Sequence, residues 1–346
     1  MSKIRTSVLV ASFRRPQKLT VCLRSLAEQT MQPDEVVVAW QGNDTGTAAA
    51  ALQMRARLPF HLRLVHSSIT GIVPAENAAL DAASGDIVLL IDDDAIGPPQ
   101  WVASHVFHYS DPKVGAVGGP YDNYRTDGTA FPKRAREPIG RITWYGRLLG
   151  NMYDHPPEWQ QRSPREVDYL VGNNMSLRRA AFDRFEAGLA PYWQSFEIDA
   201  CLQVKAKGYK VIFDFANKQQ HYPTGYAYSS ERSGDLAAKI YNAAHNQAFV
   251  LAKHSPWFLR TFRLAYLLLV GSIGTPGLAS LPLAVMRYGD LPREIAILKK
   301  TLASHVGGWI AGTDRGRQKQ QAQSCDLWHQ QVWVDGSASD RSRPGS

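Results

Sequence analysis

Ile87-Val88-Leu89-Leu90-Ile91-Asp92-Asp93-Asp94 is a run of five apolar residues ending in three carboxylates. Leucines and β-branched residues in unbroken succession, with Gly85-Asp86 in front and acids behind, suit a strand buried on both faces of a parallel sheet. In open α/β sheets ligands collect outside the carboxyl ends of strands, where loops and helix N-termini converge. Adjacent carboxylates at such an edge repel one another unless a hard divalent cation shares them, and a phosphorylated substrate would complete that cation's coordination. The alternative is that Asp92, Asp93 and Asp94 are a solvated turn before Gly97-Pro98-Pro99.

Working outward, residues 7–12, 35–39 and 62–65 read as three earlier strands. Helices are expected between them, from Pro16 with Leu19, Leu23 and Leu26 at helical spacing, over 48–57, and from Pro74 to about residue 83. Beyond the acids, 98–109 reads as a helix and 114–117 as a strand ended by Gly118-Gly119-Pro120. This alternation predicts βαβ units and a mostly parallel, doubly wound sheet. From Tyr121 to Arg165 the periodicity fades into Pro, Gly, Arg and aromatic residues, and loops of that length are usually functional or mobile. Regular structure resumes with a strand over 167–171, then Gly172-Asn173-Asn174-Met175. A helix follows from Phe196-Glu197-Ile198-Asp199 to Lys207, then a strand over 210–213, with His221 in a loop.

The chain has 346 residues, 44% hydrophobic and 20% charged, enough for a large α/β domain and an appendage. Its net charge of +8 is uneven: residues 1–228 hold 25 Lys or Arg against 23 Asp or Glu, and 229–346 hold 14 against 8. A basic C-terminal third points to an anionic surface as partner. That excess is mixed with an uncharged apolar stretch, not arranged as a stripe, so nucleic-acid binding is not expected. Cys22, Cys201 and Cys325 are far apart and lack metal-ligand spacing, which fits a reducing compartment. Residues 1–10 hold too short an apolar run for a signal peptide, so the catalytic part is expected in the cytosol.

The ordered pieces resemble inverting glycosyltransferases of family 2 on the GT-A, nucleotide-diphospho-sugar transferase fold, a Rossmann-like mixed sheet with helices on both faces. The stretches that carry the likeness are ASFRRP, LRSLAEQT, IDDD, VGNNMSLRR, FEIDACLQVKAKGYKV and the later His221. The resemblance implies that Asp92 and Asp94 are the Asp-x-Asp pair that touches the donor ribose and holds Mg2+ or Mn2+, with Asp93 among the donor contacts and His221 beside the metal or phosphate. Ser12, Phe13 and Arg14 would receive base and ribose, although plain loop packing fits them too. Asn173, Asn174 and Met175 would line the donor sugar and acceptor, or the polar pair could cap a helix at Arg178. Two departures stand out. Trp40, with Asp44 a few residues on, replaces an Asp that reads the nucleobase, and Glu76 sits where an Arg often faces the nucleotide. A UDP-sugar is the default donor.

Such transfer develops negative charge on the leaving oxygen, which a divalent ion neutralises. It also needs a base for the acceptor hydroxyl, a contribution of roughly 10² to 10⁴ in rate. Glu197 and Asp199 are the candidates, and since residues two apart on a helix do not share a face, one of them is expected to point at the acceptor; counted back from Lys207-Gly208-Tyr209, the resemblance implies Glu197 as the base and leaves Asp199 in reserve. The acceptor would be a hydroxyl of a glycan or lipid-linked glycan precursor in cell-surface polysaccharide synthesis. A sugar-phosphate nucleotidyltransferase is the rival enzyme class, but its Gly-rich phosphate loop is missing from residues 11–16; a degenerate sugar-nucleotide-binding protein is the other alternative.

Three segments are expected: a GT-A domain over 1–228, a helical membrane-associated region over 229–320, and a disordered tail over 321–346. Residues 264–286 contain no charge but are interrupted by Gly271, Gly274, Pro276, Gly277 and Pro282. Breaks of that kind are costly in lipid, so two short apolar helices lying on or dipping into one leaflet are expected, with Trp257, Tyr266 and flanking arginines near the headgroups; the alternatives are a true span, for which the length suffices, and a buried soluble helical pair. The enzyme would then sit at the cytoplasmic face of the inner (plasma) membrane as a peripheral or monotopic protein.

Overall fold

A computed structural model describes residues 4–338 except 126, 134–135, 151, 190–194, 224–235 and 273, and describes no side chains at 236–237, 287–288 or from 319 onward. In chain order the elements are β1 Thr6–Ser12, α1 Pro16–Ala27, β2 Glu35–Gln41, α2 Thr45–Met54, β3 His61–Ser67, α3 Ile72–Ala82, β4 Ile87–Ile91, β5 Ala95–Ile96, α4 Trp101–His108, β6 Val114–Gly118 and β7 Tyr121–Asn123. They continue with β8 Arg141–Ile142, β9 Leu148–Leu149, β10 Arg165–Glu166, β11 Asn174–Arg178, α5 Phe196–Ala206, β12 Lys210–Phe213, β13 Gln219–His221, α6 Leu236–His254, α7 Arg260–Leu269, α8 Leu281–Tyr288 and α9 Leu291–Ala338.

Eight strands form one mixed sheet in the order β10-β12-β6-β11-β4-β1-β2-β3. Neighbours among β4, β1, β2 and β3 are parallel, as are β12 and β6, and β11 is inserted antiparallel between β4 and β6. Successive residues of β1 and β4 enter opposite layers, as the two-residue period of a strand requires. Val8, Val10 and Leu89 pack with Leu19 and Leu23 of α1, whereas Leu9, Val88 and Leu90 pack with Ala79 and Leu80 of α3. Burial on both faces explains the unbroken apolar runs, each fully buried Val, Leu or Ile contributing roughly 1.5–3 kcal/mol.

The strand expected over 167–171 is not formed; the chain leaves the sheet after the short edge strand β10 and returns to it at β11, where Asn174 and Ser176 alternate with Met175 and Leu177. Its polar side chains are satisfied by α4: Asn174 Oδ1 accepts from Trp101 Nε1 at 2.8 Å, and Ser176 Oγ lies 2.8 Å from the Tyr109 hydroxyl. A central strand can thus carry Asn and Ser at no cost in unpaired groups. No α-helix starts at Arg178; a single 3-10 turn, Arg179–Ala181, follows.

A second sheet, β5-β13-β7, stands at the end of β4. It sets His221 opposite Ala95 and beside Asn123, and so carries His221 to the acidic edge.

The C-terminal helices pack on this body. Phe249 and Val250 of α6 belong to the main core cluster. Against α9, a Cβ at Gly308 or Gly312 would come within 2.2 Å of the carbonyl oxygens of His245 and Phe249, so only glycine permits that spacing. The uncharged stretch divides into α7 and α8 around a reversal in which Gly271 has φ +63° and pairs with Pro276. Among the described residues no helix is long and apolar enough to cross a membrane. The tail expected to be disordered from 321 is helical through Ala338 as part of α9, and no proline interrupts it there. Residues 339–346 lie outside the described residues.

Candidate active site

Asp92, Asp94 and His221 converge where β4 meets the second sheet. One ligand atom from each lies within 4.8 Å of the others. His221 Nε2 is 3.3 Å from Asp94 Oδ1 and 3.7 Å from Asp92 Oδ2. The Tyr222 backbone N–H donates to the Asp94 carbonyl at 2.8 Å, fixing the two strands at this point. Asn123 sets the imidazole: its Nδ2 donates to Asp154, so its Oδ1, 2.8 Å from His221 Nδ1, accepts the ring proton. That leaves Nε2 as the ring atom facing the acids, the arrangement by which an outer-shell partner orients a metal ligand. Two carboxylates and an imidazole nitrogen suit a hard or borderline divalent cation.

Asp93 turns the other way. It is fully buried, accepts from Ser12 Oγ at 2.6 Å and pairs with Arg15 at 2.9 Å, and burial pushes its carboxyl up against the pull of Arg15. Arg15, itself 5% exposed, also reaches Asp94 Oδ2 at 2.5 Å. Asp93 and Ser12 therefore brace the edge from beneath and are not free to contact a donor, which corrects the sequence expectation for both. Asp44 is likewise committed: it caps α2 through Thr47 and accepts the Arg14 backbone N–H, holding that loop residue at φ +57°. Phe13 is 4% exposed, with the Arg14 guanidinium 4.9 Å from its ring centre. Trp40, opposite Ser12 in the sheet, packs on His66 at 4.1 Å between ring centres.

A cavity of about 800 Å³ opens on the acidic edge. Asp92, His221, Glu197, Asn173 and Glu76 line it, together with Tyr121, Tyr153 and Tyr169 and, from the C-terminal helices, Lys239, Ile240 and Gln247. Glu197 lies in the first turn of α5, is 7% exposed, and its Oε2 has no hydrogen-bond partner among the described residues. Burial raises its carboxyl to about 8; the backbone N–H groups of Glu197 and Gly172 oppose that shift and the Asp92 charge adds to it. Asp199 does not line the cavity. It is bonded to Gln203, Lys253 and His254 at 2.7–3.0 Å, tying α5 to α6, so the reserve base is an anchor.

The expected trio at 173–175 separates in the same way. Asn173 lines the cavity, and its Oδ1 has no hydrogen-bond partner among the described residues. Asn174 is spent on Trp101, His105, Pro120 and Asn217, and Met175 is fully buried in the core. Sequence reasoning did not single out Arg15, Asn123, Tyr121, Tyr153 or Lys239. The density of aromatic residues after Pro120 was the available signal for the tyrosines; Lys239 had none.

Comparison with known proteins agrees with this geometry. The family model described as glycosyl transferase family 2 matches residues 7–185, just over half of the chain. Among curated relatives, the succinoglycan biosynthesis protein ExoM of Rhizobium meliloti is 33% identical over 117 residues, 32% of this chain and 37% of its own length. The amylovoran biosynthesis glycosyltransferase AmsE of Erwinia amylovora is 26% identical over 153 residues, 43% of this chain and 57% of its own length. The chain thus spans about a third to just over half of these relatives. Among solved structures, the mannosyltransferase PcManGT of Pyrobaculum calidifontis, in complex with GDP-Man and Mn2+, superposes with a TM-score of 0.55 at 20% identity, covering 91% of this chain and 88% of that one. S. aureus TarS 1-349 in complex with UDP-GlcNAc gives 0.51 at 14% identity, covering 91% and 92%. These likenesses establish the GT-A type fold, and with the profile match over the acidic edge and β11, the chain belongs to glycosyl transferase family 2.

Proposed function

We propose that the protein is a divalent-metal-dependent, inverting glycosyltransferase that moves one sugar from a nucleotide-diphosphate sugar to a hydroxyl of a glycan or lipid-linked glycan precursor in surface polysaccharide synthesis. The observation that carries this reading is the shared cavity: the Asp92, Asp94 and His221 cluster opens on the same space as Glu197, whose Oε2 has no hydrogen-bond partner among the described residues. Its size of about 800 Å³ falls within the roughly 300–1,000 Å³ of ligand sites. The polysaccharide-biosynthesis names of two relatives, and the sugar nucleotides bound to two structural neighbours, support the donor class and the process.

Asp92, Asp94 and His221 would hold Mg2+ or Mn2+, which when bound neutralises charge developing on the departing diphosphate. Arg15 and Asn123 keep the two ligand side chains in place. Glu197 takes the acceptor hydroxyl proton as that oxygen bonds to the anomeric carbon and the carbon–diphosphate bond breaks. Such a single displacement inverts the anomeric centre. Tyr121, Tyr153 and Tyr169 in the cavity lining offer aromatic surface to a sugar.

Membrane attachment is proposed through the face where α7 meets the β8–β9 hairpin. Trp257, Phe258, Phe262 and Trp144 are exposed, and Trp144 packs edge-on against Phe262 at 5.7 Å. Exposed Trp and Phe beside a basic helical region suit a lipid interface. Arg263 is bonded to Trp144 and Ser255, so it braces this face and does not reach for headgroups. Attachment at the cytoplasmic face of the plasma membrane would present the cavity to lipid-carried acceptors.

The test is a panel of UDP-, GDP- and dTDP-sugars with Mn2+ and purified protein, following nucleoside diphosphate release and the anomeric configuration of the product. Release with at least one donor, loss on chelation and an inverted product are expected. No release from any donor, or retention of configuration, would contradict the reading.

A further inference from the structure

Glu76 is a third carboxyl group in the cavity, and the mechanism above gives it no role. It projects from α3, lines the cavity with Asp92 and Glu197, is 3% exposed, and its Oε2 has no hydrogen-bond partner among the described residues. The next residue shows what a structural polar side chain does there: Asn77 exchanges two hydrogen bonds with the Phe185 backbone and is satisfied. A buried carboxyl oxygen without a partner costs stability. Glu76 therefore weakens the unliganded fold, a pattern expected of groups reserved for a ligand.

Its place in the cavity says which part of the ligand it meets. Ser12, Phe13, Arg14 and Trp40, at the edge where base and ribose are expected, do not line this cavity. Asp92 marks the diphosphate end and Glu197 the point of attack on the anomeric carbon. The group between those two points is the transferred sugar. Resting on the glycosyl-transfer reading, we propose that Glu76 is a specificity-determining residue that accepts a hydrogen bond from a hydroxyl or amide N–H of the transferred sugar, and that it does not read the nucleobase.

The experiment compares nucleotide and nucleotide-sugar binding in Glu76→Ala and Glu76→Gln. Calorimetry with Mn2+ pairs UDP against UDP-GlcNAc and GDP against GDP-Man, with thermal unfolding measured on each unliganded protein. In the Ala variant, affinity for the nucleotide sugar that the parent binds should fall about tenfold or more while affinity for the matching nucleoside diphosphate stays within about twofold. The unfolding midpoint of both variants should be equal to or above the parent's. Equal losses for nucleotide and nucleotide sugar would make Glu76 a nucleotide contact and overturn the inference. So would unchanged affinities, or a lower unfolding midpoint in both variants, the mark of a structural role. A parent that binds neither nucleotide nor nucleotide sugar would overturn the glycosyl-transfer reading itself. A parent that binds and transfers, beside variants that do the same, would overturn only the role of Glu76.

Discussion

Replacing Lys253 with Met should destabilise the protein by about 3–5 kcal/mol, the cost of leaving buried charges without their partner. Lys253 Nζ lies 2.8 and 3.0 Å from the two oxygens of Asp199 and 2.8 Å from Glu186 Oε2, and none of the three side chains is more than 5% exposed. Methionine keeps the stem in place and removes the charge. Asp199 is then left with His254 and Gln203, and Glu186 with the Gly188 backbone N–H and an Arg315 side chain that is 55% exposed. A solvent-exposed pair would be worth about 0–1 kcal/mol, so the measured loss discriminates between the two regimes. The acid arm gives an independent check. Burial raises the Asp199 carboxyl, but His254 and Lys253 outweigh it and hold it down to about 2. A depressed folded value contributes stability that is present above the unfolded value of about 3.9 and lost as pH falls through the folded value. The variant, with that depression reduced, should unfold at a higher pH on acid titration. Urea unfolding at pH 7 and acid titration, both followed by circular dichroism, would be run on Lys253→Met, Asp199→Asn and the double variant. The double variant should lose less than the sum of the singles, because each removes what the other leaves unpaired. A loss below about 1 kcal/mol, or strict additivity, would refute the argument.

Glu197→Gln should lower transfer by roughly 10² to 10⁴ with donor binding retained. In the parent kcat/KM should climb with pH toward about 8, since a base must be ionised and burial holds this one protonated below that value; a flat profile from neutral to alkaline pH would contradict the assignment. Asn123→Ala, which removes the acceptor for the His221 ring proton, should weaken Mn2+ binding by on the order of 10–100-fold by calorimetry, and unchanged affinity would show that Asn123 does not orient a metal ligand. Replacing Trp257, Phe258 and Phe262 together with Ser should release the protein from anionic lipid vesicles in flotation while leaving transfer to a soluble acceptor intact; undiminished flotation would locate any attachment elsewhere.

The parallel half of the sheet was legible because every residue of β1, β4 and β6 is buried, so hydrophobicity alone marked the strands. β11 was not, because only Met175 and Leu177 are apolar, and the Asn174 and Ser176 between them are buried through hydrogen bonds to Trp101 and Tyr109. The order of motifs drew attention to Asp92, Asp94, His221 and Glu197, four residues from three separate elements that line or border one cavity. Which members of each motif face inward was harder. Two-residue alternation carried past Ile91 would have separated Asp93 from its neighbours, but the partner that holds it, Arg15, is 78 positions away and carries no local mark.

The same limit explains the C-terminal third. Charge and hydropathy showed a basic, interrupted apolar region, and those properties describe a surface. They say nothing of Lys253 and His254 gripping Asp199, two residues beyond Glu197, or of Lys239 and Gln247 forming a wall of the cavity. These contacts make α6 part of the site and not an appendage to it. A membrane-facing helical layer that also positions α5 would couple seating on a lipid surface to the geometry of the base. Separating the layer from the sheet by truncation before α6 would therefore remove a wall of the cavity and the Asp199 anchor along with any lipid contact. Loss of activity in such a truncation would be no measure of membrane attachment, which is why surface substitutions at Trp257, Phe258 and Phe262 are the cleaner probe.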